Sequence, residues 1–87
     1  MNEYHVCGVL LMSRPEHVPK VAQALKAMAG VELHATDGGR MVVTIEGSEY
    51  RQCADRMTEL ATLDGVASSS LVYHQIDTES EPEESLQ

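Results

Sequence analysis

The most constraining feature of the sequence is a pattern that occurs twice, 35 positions apart. Each copy has an amphipathic helical stripe, a glycine that ends it and an apolar residue that begins a strand. Glycine commonly ends a helix because it adopts the left-handed conformation without a steric penalty. The repeat therefore predicts two helix-then-strand units. The matching positions are Leu25, Met28, Gly30 and Val31 in the first copy and Leu60, Leu63, Gly65 and Val66 in the second.

A strand and a helix are predicted in the N-terminal third of the chain. His5–Met12 is a short apolar run rich in branched residues, which is typical of a strand. From about residue 16 to residue 28 the apolar positions recur every three or four residues, as on one face of a helix. Pro15 and Pro19 restrict the start of this helix to the same region, because proline fits only the first turn.

Two strands, a helix and a final strand follow. Residues 31–36 and 41–46 alternate apolar and polar side chains, and the Asp-Gly-Gly-Arg segment at 37–40 is typical of the turn of a hairpin. Ser48 is predicted to cap the second helix, and the last strand is predicted over residues 66–76.

The order of these elements is β-α-β-β-α-β, and it defines the expected fold class. Right-handed crossovers then give an α+β, ferredoxin-like fold. Its four-stranded antiparallel sheet has the order 4-1-3-2, and both helices cover one face. We call the other face the open face.

The charge of the chain is unevenly distributed. The net charge is -8, and residues 77–87 hold five acidic residues and no basic one. This segment has no apolar period, so residues 1–76 are predicted to be the domain and residues 77–87 a disordered acidic tail. The tail is expected either to keep the protein soluble or to attract a cationic partner. An acidic chain is not suited to nucleic acid or to an anionic membrane surface and favours a basic partner.

The N-terminus and the cysteines bear on location and on chemistry. The first residues lack the basic segment of a secretory signal, and no apolar run is long enough to insert into a membrane, so a cytoplasmic location is expected. Cys7 and Cys53 fall on apolar periods and are predicted to be buried free thiols. No closely spaced ligand set and no nucleophile–base pair is visible, so no metal, no cofactor and no enzyme activity are expected.

The strand pleat assigns side chains to the two faces of the sheet, because neighbours along a strand point to opposite sides. The helix-covered face is predicted to receive Cys7, Val9, Leu11, Val31, Leu33, Ala35, Met41, Val43, Ile45, Leu71 and Tyr73. The open face is predicted to carry Val6, Gly8, Leu10, Met12, Glu32, Val42, Thr44, Glu46, Ser68, Ser70, Val72 and His74.

The predicted open face has the character of an interaction site. It exposes a contiguous apolar patch, which is rare on a small monomer that binds nothing. Glu32 and Glu46 place carboxylates at its border, and a carboxylate is the natural partner of an arginine guanidinium. With no aromatic side chain predicted there, an RNA-recognition module is not favoured. A basic amphipathic helical peptide and a second copy of the chain both suit the face.

Several segments of the chain resemble the NapD family. The C-terminal strand of NapD proteins contains a recurring SLVYHQ segment, which is present here as Ser70-Leu71-Val72-Tyr73-His74-Gln75. His5-Val6-Cys7 is similar to their first strand, Gly30-Val31-Glu32 matches the entry to their second, and an acidic tail is common among them. The resemblance covers essentially the whole chain.

The resemblance implies a function. NapD-type proteins are chaperones for NapA, the molybdenum-cofactor nitrate reductase that is exported by the twin-arginine route. They bind its signal peptide and delay export until the cofactor is inserted. Here the peptide helix is expected to bury its apolar side on Leu10, Met12, Val42 and Val72. Its arginines would then meet Glu46 or Glu32, with Ser70, Val72 and His74 facing the peptide and Leu71 and Tyr73 supporting from the core.

One alternative stays open at this stage. A small-molecule-binding regulatory domain of the same fold could pair through its open sheet, and a homodimer of this kind would also cover the apolar patch.

Overall fold

The computed structural model describes residues 3–78 and contains four strands and two α-helices within them. The strands are β1 (Glu3–Ser13), β2 (Val31–Asp37), β3 (Arg40–Gly47) and β4 (Val66–Thr78). The helices are α1 (Val18–Lys26), which follows a short 3-10 helix at Pro15–His17, and α2 (Tyr50–Ala61). Neither helix, nor any other in this described part of the chain, is long and apolar enough to cross a membrane.

The sheet confirms the predicted fold class. Its strand order is β2-β3-β1-β4, and all neighbouring strands are antiparallel. The long central strand β1 pairs with β3 on one side and with β4 on the other. The last strand continues to Thr78, two residues beyond its predicted end, and the rest of the predicted tail lies outside the described residues.

The core lies between the two helices and one face of the sheet. Its buried side chains come from both layers, and all of them are aliphatic or contain sulfur. They are Cys7, Val9, Leu11, Val21, Leu25, Met41, Val43, Ile45, Cys53 and Leu60. Both helices therefore pack on the same face, as predicted, and no helix within residues 3–78 lies against the opposite face.

Both cysteines are buried free thiols, which confirms the prediction for them. Burial raises the pKa of the Cys53 thiol to about 11, and the neighbouring Cys7 contributes to the shift. The Cys53 thiol lies 3.7 Å from the carbonyl oxygen of His5 and 3.8 Å from that of Ile45. At neutral pH it is protonated, so it behaves as a small core side chain and not as a nucleophile.

The glycines that end the helical segments and the turn of the hairpin lie where the sequence predicts them. Gly30 and Gly65 end the two helical segments with φ of 78° and 104°, and Gly38 in the hairpin has φ of 62°. The helix caps differ from the prediction. Ser48 does not cap α2, because the N-cap position is Glu49, and the Gln52 side chain instead accepts a hydrogen bond from the Ser48 backbone N–H at 2.8 Å.

The hairpin offers a paired test of backbone packing. A β-carbon at Gly39 would overlap the backbone carbonyl oxygen of Ser13, whose own N–H donates to the Gly39 carbonyl at 2.8 Å. We expect Gly39→Ala to lower the free energy of unfolding by about 3 kcal/mol, since neither backbone can move freely. At Gly38 the space is open, so Gly38→Ala should cost only about 1 kcal/mol, from the left-handed φ. Urea denaturation of both variants checks this, and equal losses would contradict the packing argument.

Candidate functional site

The open face carries most of the side chains that the pleat predicts. Residues paired across neighbouring strands point to the same face, and the pairs Val6–Glu46, Gly8–Thr44 and Leu10–Val42 link β1 to β3. The pairs Leu10–Ser70 and Met12–Ser68 add β4, and Glu32–Thr44 adds β2. The structure thus brings together Val6, Gly8, Leu10, Met12, Glu32, Val42, Thr44, Glu46, Ser68 and Ser70 on one surface.

A β-bulge in β4 contradicts the predicted facing of two residues. Gly8 pairs with Tyr73, but the next residue of β1, Val9, pairs with Leu71, so Val72 is an extra residue without a partner on β1. An extra residue reverses the alternation beyond it. Tyr73 was predicted to lie in the core and instead lies on the open face with Gly8. His74 was predicted to face a bound peptide and instead lies on the helix side with Cys7.

His74 belongs to a cluster of rings beside the start of α2. Its Nε2 lies 3.0 Å from Nδ1 of His5, and the two rings stack with centroids 5.2 Å apart. The Tyr50 ring packs against His74 at 4.8 Å. His5 is 5% exposed, so this cluster joins β1, β4 and α2 from the core side. His74 is therefore removed from the candidate binding surface.

Tyr73 occupies the centre of the open face. A β-carbon at Gly8 would overlap three atoms of the Tyr73 ring, so the ring lies directly across the bare backbone of Gly8. The side chain remains 45% exposed. The prediction that this face has no aromatic residue is wrong, because Tyr4 is also exposed on it. The facing of Tyr73 could not be read from the sequence, since a bulge leaves no pattern of its own, whereas Tyr4 follows the simple alternation of β1 with Val6.

A second bulge, in β2, changes the edge of the same surface. Leu33 pairs with Val43, but Ala35 pairs with Val42, which leaves His34 as the extra residue. Ala35 was predicted to face the helices and instead lies beside Val42 on the open face. His34 stays on that side, with its Nε2 2.7 Å from the Thr44 hydroxyl oxygen.

Two adjoining depressions form an apolar trough across the open face. The first has a volume of about 170 Å³ and the second about 280 Å³, and they share Leu10 and Val42 as a common wall. Val72, the bulged residue, is 65% exposed at the rim of the first. The first is lined by Gly8, Val9, Leu10, Val42, Thr44, Val72 and Tyr73, and the second by Leu10, Ala35, Thr36, Asp37, Arg40 and Val42.

One end of the open face is an acidic border, formed by Glu32 and Glu46. The Tyr4 hydroxyl donates a hydrogen bond to Oε1 of Glu46, and this bond, with the nearby negative charges, raises the pKa of the Tyr4 phenol. Glu32 lies 4.0 Å from the His34 ring. Within residues 3–78, no lysine or arginine pairs with either carboxylate. The border can therefore accept a cation from a partner.

The opposite end of the open face carries one charge of each sign. Arg40 and Asp37, which pair across the hairpin, line the far depression. The open face thus runs from two carboxylates, across an apolar centre, to an arginine that lies beside an aspartate. A ligand with a basic end followed by an apolar stretch matches this sequence of surfaces in one direction only.

A larger depression of about 380 Å³ lies off the open face, beside α2. It is lined by Ala29, Gly30, Glu46, Gln52, Asp55 and Arg56. Arg56 donates to the carbonyl oxygen of Ala29 at 3.2 Å and pairs with Glu59 at 3.1 Å. Its cation is already engaged within the chain, and the depression has no exposed apolar wall like that of the trough on the open face.

The fold and the open face together define a class of protein: a small α+β, ferredoxin-like domain with one sheet face available for a partner. Comparison with known proteins then identifies the family. The family model described as NapD protein matches residues 4–78, and the chain belongs to the NapD family. This is a family of chaperones, so the chain has a chaperone role and not an enzymatic one.

Individual relatives support the assignment. The chain is 28% identical to the Chaperone NapD of Haemophilus influenzae, with 87% of this chain and 84% of the relative aligned. It is 25% identical to that of Escherichia coli K12, with 92% and 94% aligned. With that of Paracoccus pantotrophus it shares 27% identity, but there it spans only 64% of the relative's length.

A solved structure resembles the whole fold. The solution structure of the E. coli Tat proofreading chaperone protein NapD superimposes with a TM-score of 0.77 and 26% sequence identity. The superposition covers 97% of this chain and 88% of that one.

Proposed function

We propose that this chain binds the twin-arginine signal peptide of the periplasmic nitrate reductase NapA on its open face. Binding would delay export until the molybdenum cofactor has been inserted. Because the precursor meets its chaperone before export, the chain would act in the cytoplasm. Membership of a chaperone family and the description of the E. coli relative as a Tat proofreading chaperone support this proposal.

The observation that carries the proposal is the pairing of an apolar trough with an unneutralised acidic border. Val42 is 48% exposed and Met12 is 40% exposed, so the face keeps apolar area in contact with water that a partner would remove. Glu32 and Glu46 lie beside it, and neither pairs with a lysine or arginine among the described residues. A peptide with two arginines before an apolar helical stretch satisfies both surfaces at once.

A direct mechanism follows from this arrangement. The arginine pair is the feature that a translocase must read, and carboxylates that hold it would hide it. The apolar side of the peptide helix would be buried at the same time on Leu10, Val42 and Val72. Release of the peptide would expose both features together, so a single binding equilibrium controls access to export.

The test is a calorimetric titration with a synthetic NapA signal peptide. We expect wild-type protein to bind it, and a peptide with both arginines changed to glutamine to bind about 10- to 100-fold more weakly, since charge-assisted hydrogen bonds are lost. The double variant Glu32→Gln/Glu46→Gln should show a similar loss with the arginine peptide.

The matched control removes two negative charges at positions outside the acidic border. Glu16 and Glu59 are exposed, and each pairs only with a neighbouring arginine, Arg14 or Arg56. Glu16→Gln/Glu59→Gln should therefore bind the arginine peptide as wild type does. If both double variants lost affinity equally, total charge and not the acidic border would be responsible. Failure of wild type to bind either peptide would refute the proposed function and direct attention to self-pairing of the open face.

A further inference from the structure

The bulge at Val72 places an aromatic ring where the signal peptide is proposed to bind. Tyr73 lies across Gly8, and any side chain at Gly8 would collide with it. The ring borders the first depression together with Thr44 and Val42, and the side chain is 45% exposed. Part of the ring therefore remains available to a ligand.

The nearest carboxylate of the acidic border, that of Glu46, belongs to the strand beside Gly8 and lies two residues farther along the sheet than the ring. Tyr73 pairs with Gly8, Gly8 pairs with Thr44, and Glu46 is two residues beyond Thr44 on the same face of β3. The Tyr4 hydroxyl binds one oxygen of Glu46, which fixes the carboxylate while leaving its second oxygen able to accept. A ring and an oriented carboxylate thus flank one region of the open face.

An arginine guanidinium is the group that this pair suits. It is planar and weakly hydrated, it stacks on aromatic rings, and it offers two parallel N–H donors to a carboxylate. A lysine ammonium carries the same charge but is more strongly hydrated and has no planar face to stack. A site with both a ring and a carboxylate therefore discriminates between two cations of equal charge.

We infer that Tyr73 and Glu46 form a subsite for one arginine of the bound peptide, in which the ring stacks on the guanidinium and the carboxylate accepts from its edge. Tyr73 then determines specificity for arginine over lysine, and Gly8 is required because it admits the ring. This inference rests on the proposed function, because it names how the same face reads its peptide.

The test is a double-mutant cycle that measures selectivity. Wild type, Tyr73→Phe and Tyr73→Leu are each titrated with the arginine peptide and with a peptide that has lysine at both positions. We expect wild type and Tyr73→Phe to prefer the arginine peptide by about 5- to 30-fold, since phenylalanine keeps the π face. Tyr73→Leu should reduce this preference to about twofold or less, while lysine-peptide affinity changes little.

Two outcomes separate this inference from the proposed function. If Tyr73→Leu retains the wild-type preference for arginine, the ring is not part of the subsite and the inference is overturned, although the proposed function stands. If wild type binds neither peptide, both are overturned. Thermal unfolding shows whether Tyr73→Leu is folded, and Tyr73→Met replaces it in the cycle if it is not.

Discussion

The Val42→Glu variant is expected to bind the NapA signal peptide at least about 30-fold more weakly than wild type. Val42 forms the wall shared by the two depressions of the apolar trough. A carboxylate there would lose its contact with water under the apolar side of the peptide, and 30-fold corresponds to about 2 kcal/mol, a low figure for such burial. Calorimetric titration with the arginine peptide measures the loss directly.

Leu71 provides the control for this variant. It is 49% exposed, against 48% for Val42, but it pairs with Val9 and so lies on the helix side of the sheet. Leu71→Glu adds the same charge and should leave the affinity within about twofold of wild type. Equal losses in the two variants would mean that the peptide does not bind on the open face.

The second prediction with a large expected effect compares two neighbouring residues of β1 that lie on opposite faces of the sheet. Leu11 is 0% exposed in the core, and Leu11→Ala is expected to lower the free energy of unfolding by about 2–5 kcal/mol. Its neighbour Leu10 lies half-buried in the trough, so Leu10→Ala should cost about 1 kcal/mol or less of stability. Denaturant titration measures both losses of stability.

Peptide binding should rank the same two variants in the opposite order. Leu10→Ala removes apolar area that the peptide would cover, and a loss of affinity of about fivefold is expected. Leu11→Ala, studied where it is fully folded, should keep near wild-type affinity. A Leu11→Ala protein that is as stable as Leu10→Ala would contradict the assignment of Leu11 to the core.

The element order and the sheet order were predictable because they depend on strong, redundant signals. The repeated helical stripe with Gly30 and Gly65 predicts two crossover units, and the Asp-Gly-Gly-Arg turn predicts the hairpin between β2 and β3. Once these are fixed, right-handed crossovers leave few topologies. The apolar faces of β1 and β3 follow from simple alternation, which continues without interruption along their pairing.

The errors in the candidate site have one physical cause. A single extra residue reverses the facing of everything beyond it, and bulges at His34 and Val72 do this in the two edge strands. Nothing in the apolar pattern marks either position, because residues 70–76 around Val72 and residues 34–38 from His34 onward are exposed on both sides. The sequence therefore assigned His74 to the peptide and Tyr73 to the core, and the structure reverses both.

The hydrogen bond between Tyr4 and Glu46 could not be foreseen for a different reason. The two residues are 42 positions apart, and their contact depends on the register between β1 and β3 and on the reach of a long side chain. The sequence could place both residues on the same face but could not show that one orients the other. The same limit applies to the ring cluster of His5, His74 and Tyr50.

The bulge in β4 also has a consequence for self-association in a crowded cell. β4 is an edge strand of 13 residues with exposed Leu71, Val72 and Tyr73, and a long regular edge of this kind is a template for adding strands from other molecules. Because Val72 interrupts the regular row of backbone donors and acceptors, another chain cannot pair along the full length of the edge. The residue that turns Tyr73 toward the open face thus also limits strand addition along this edge.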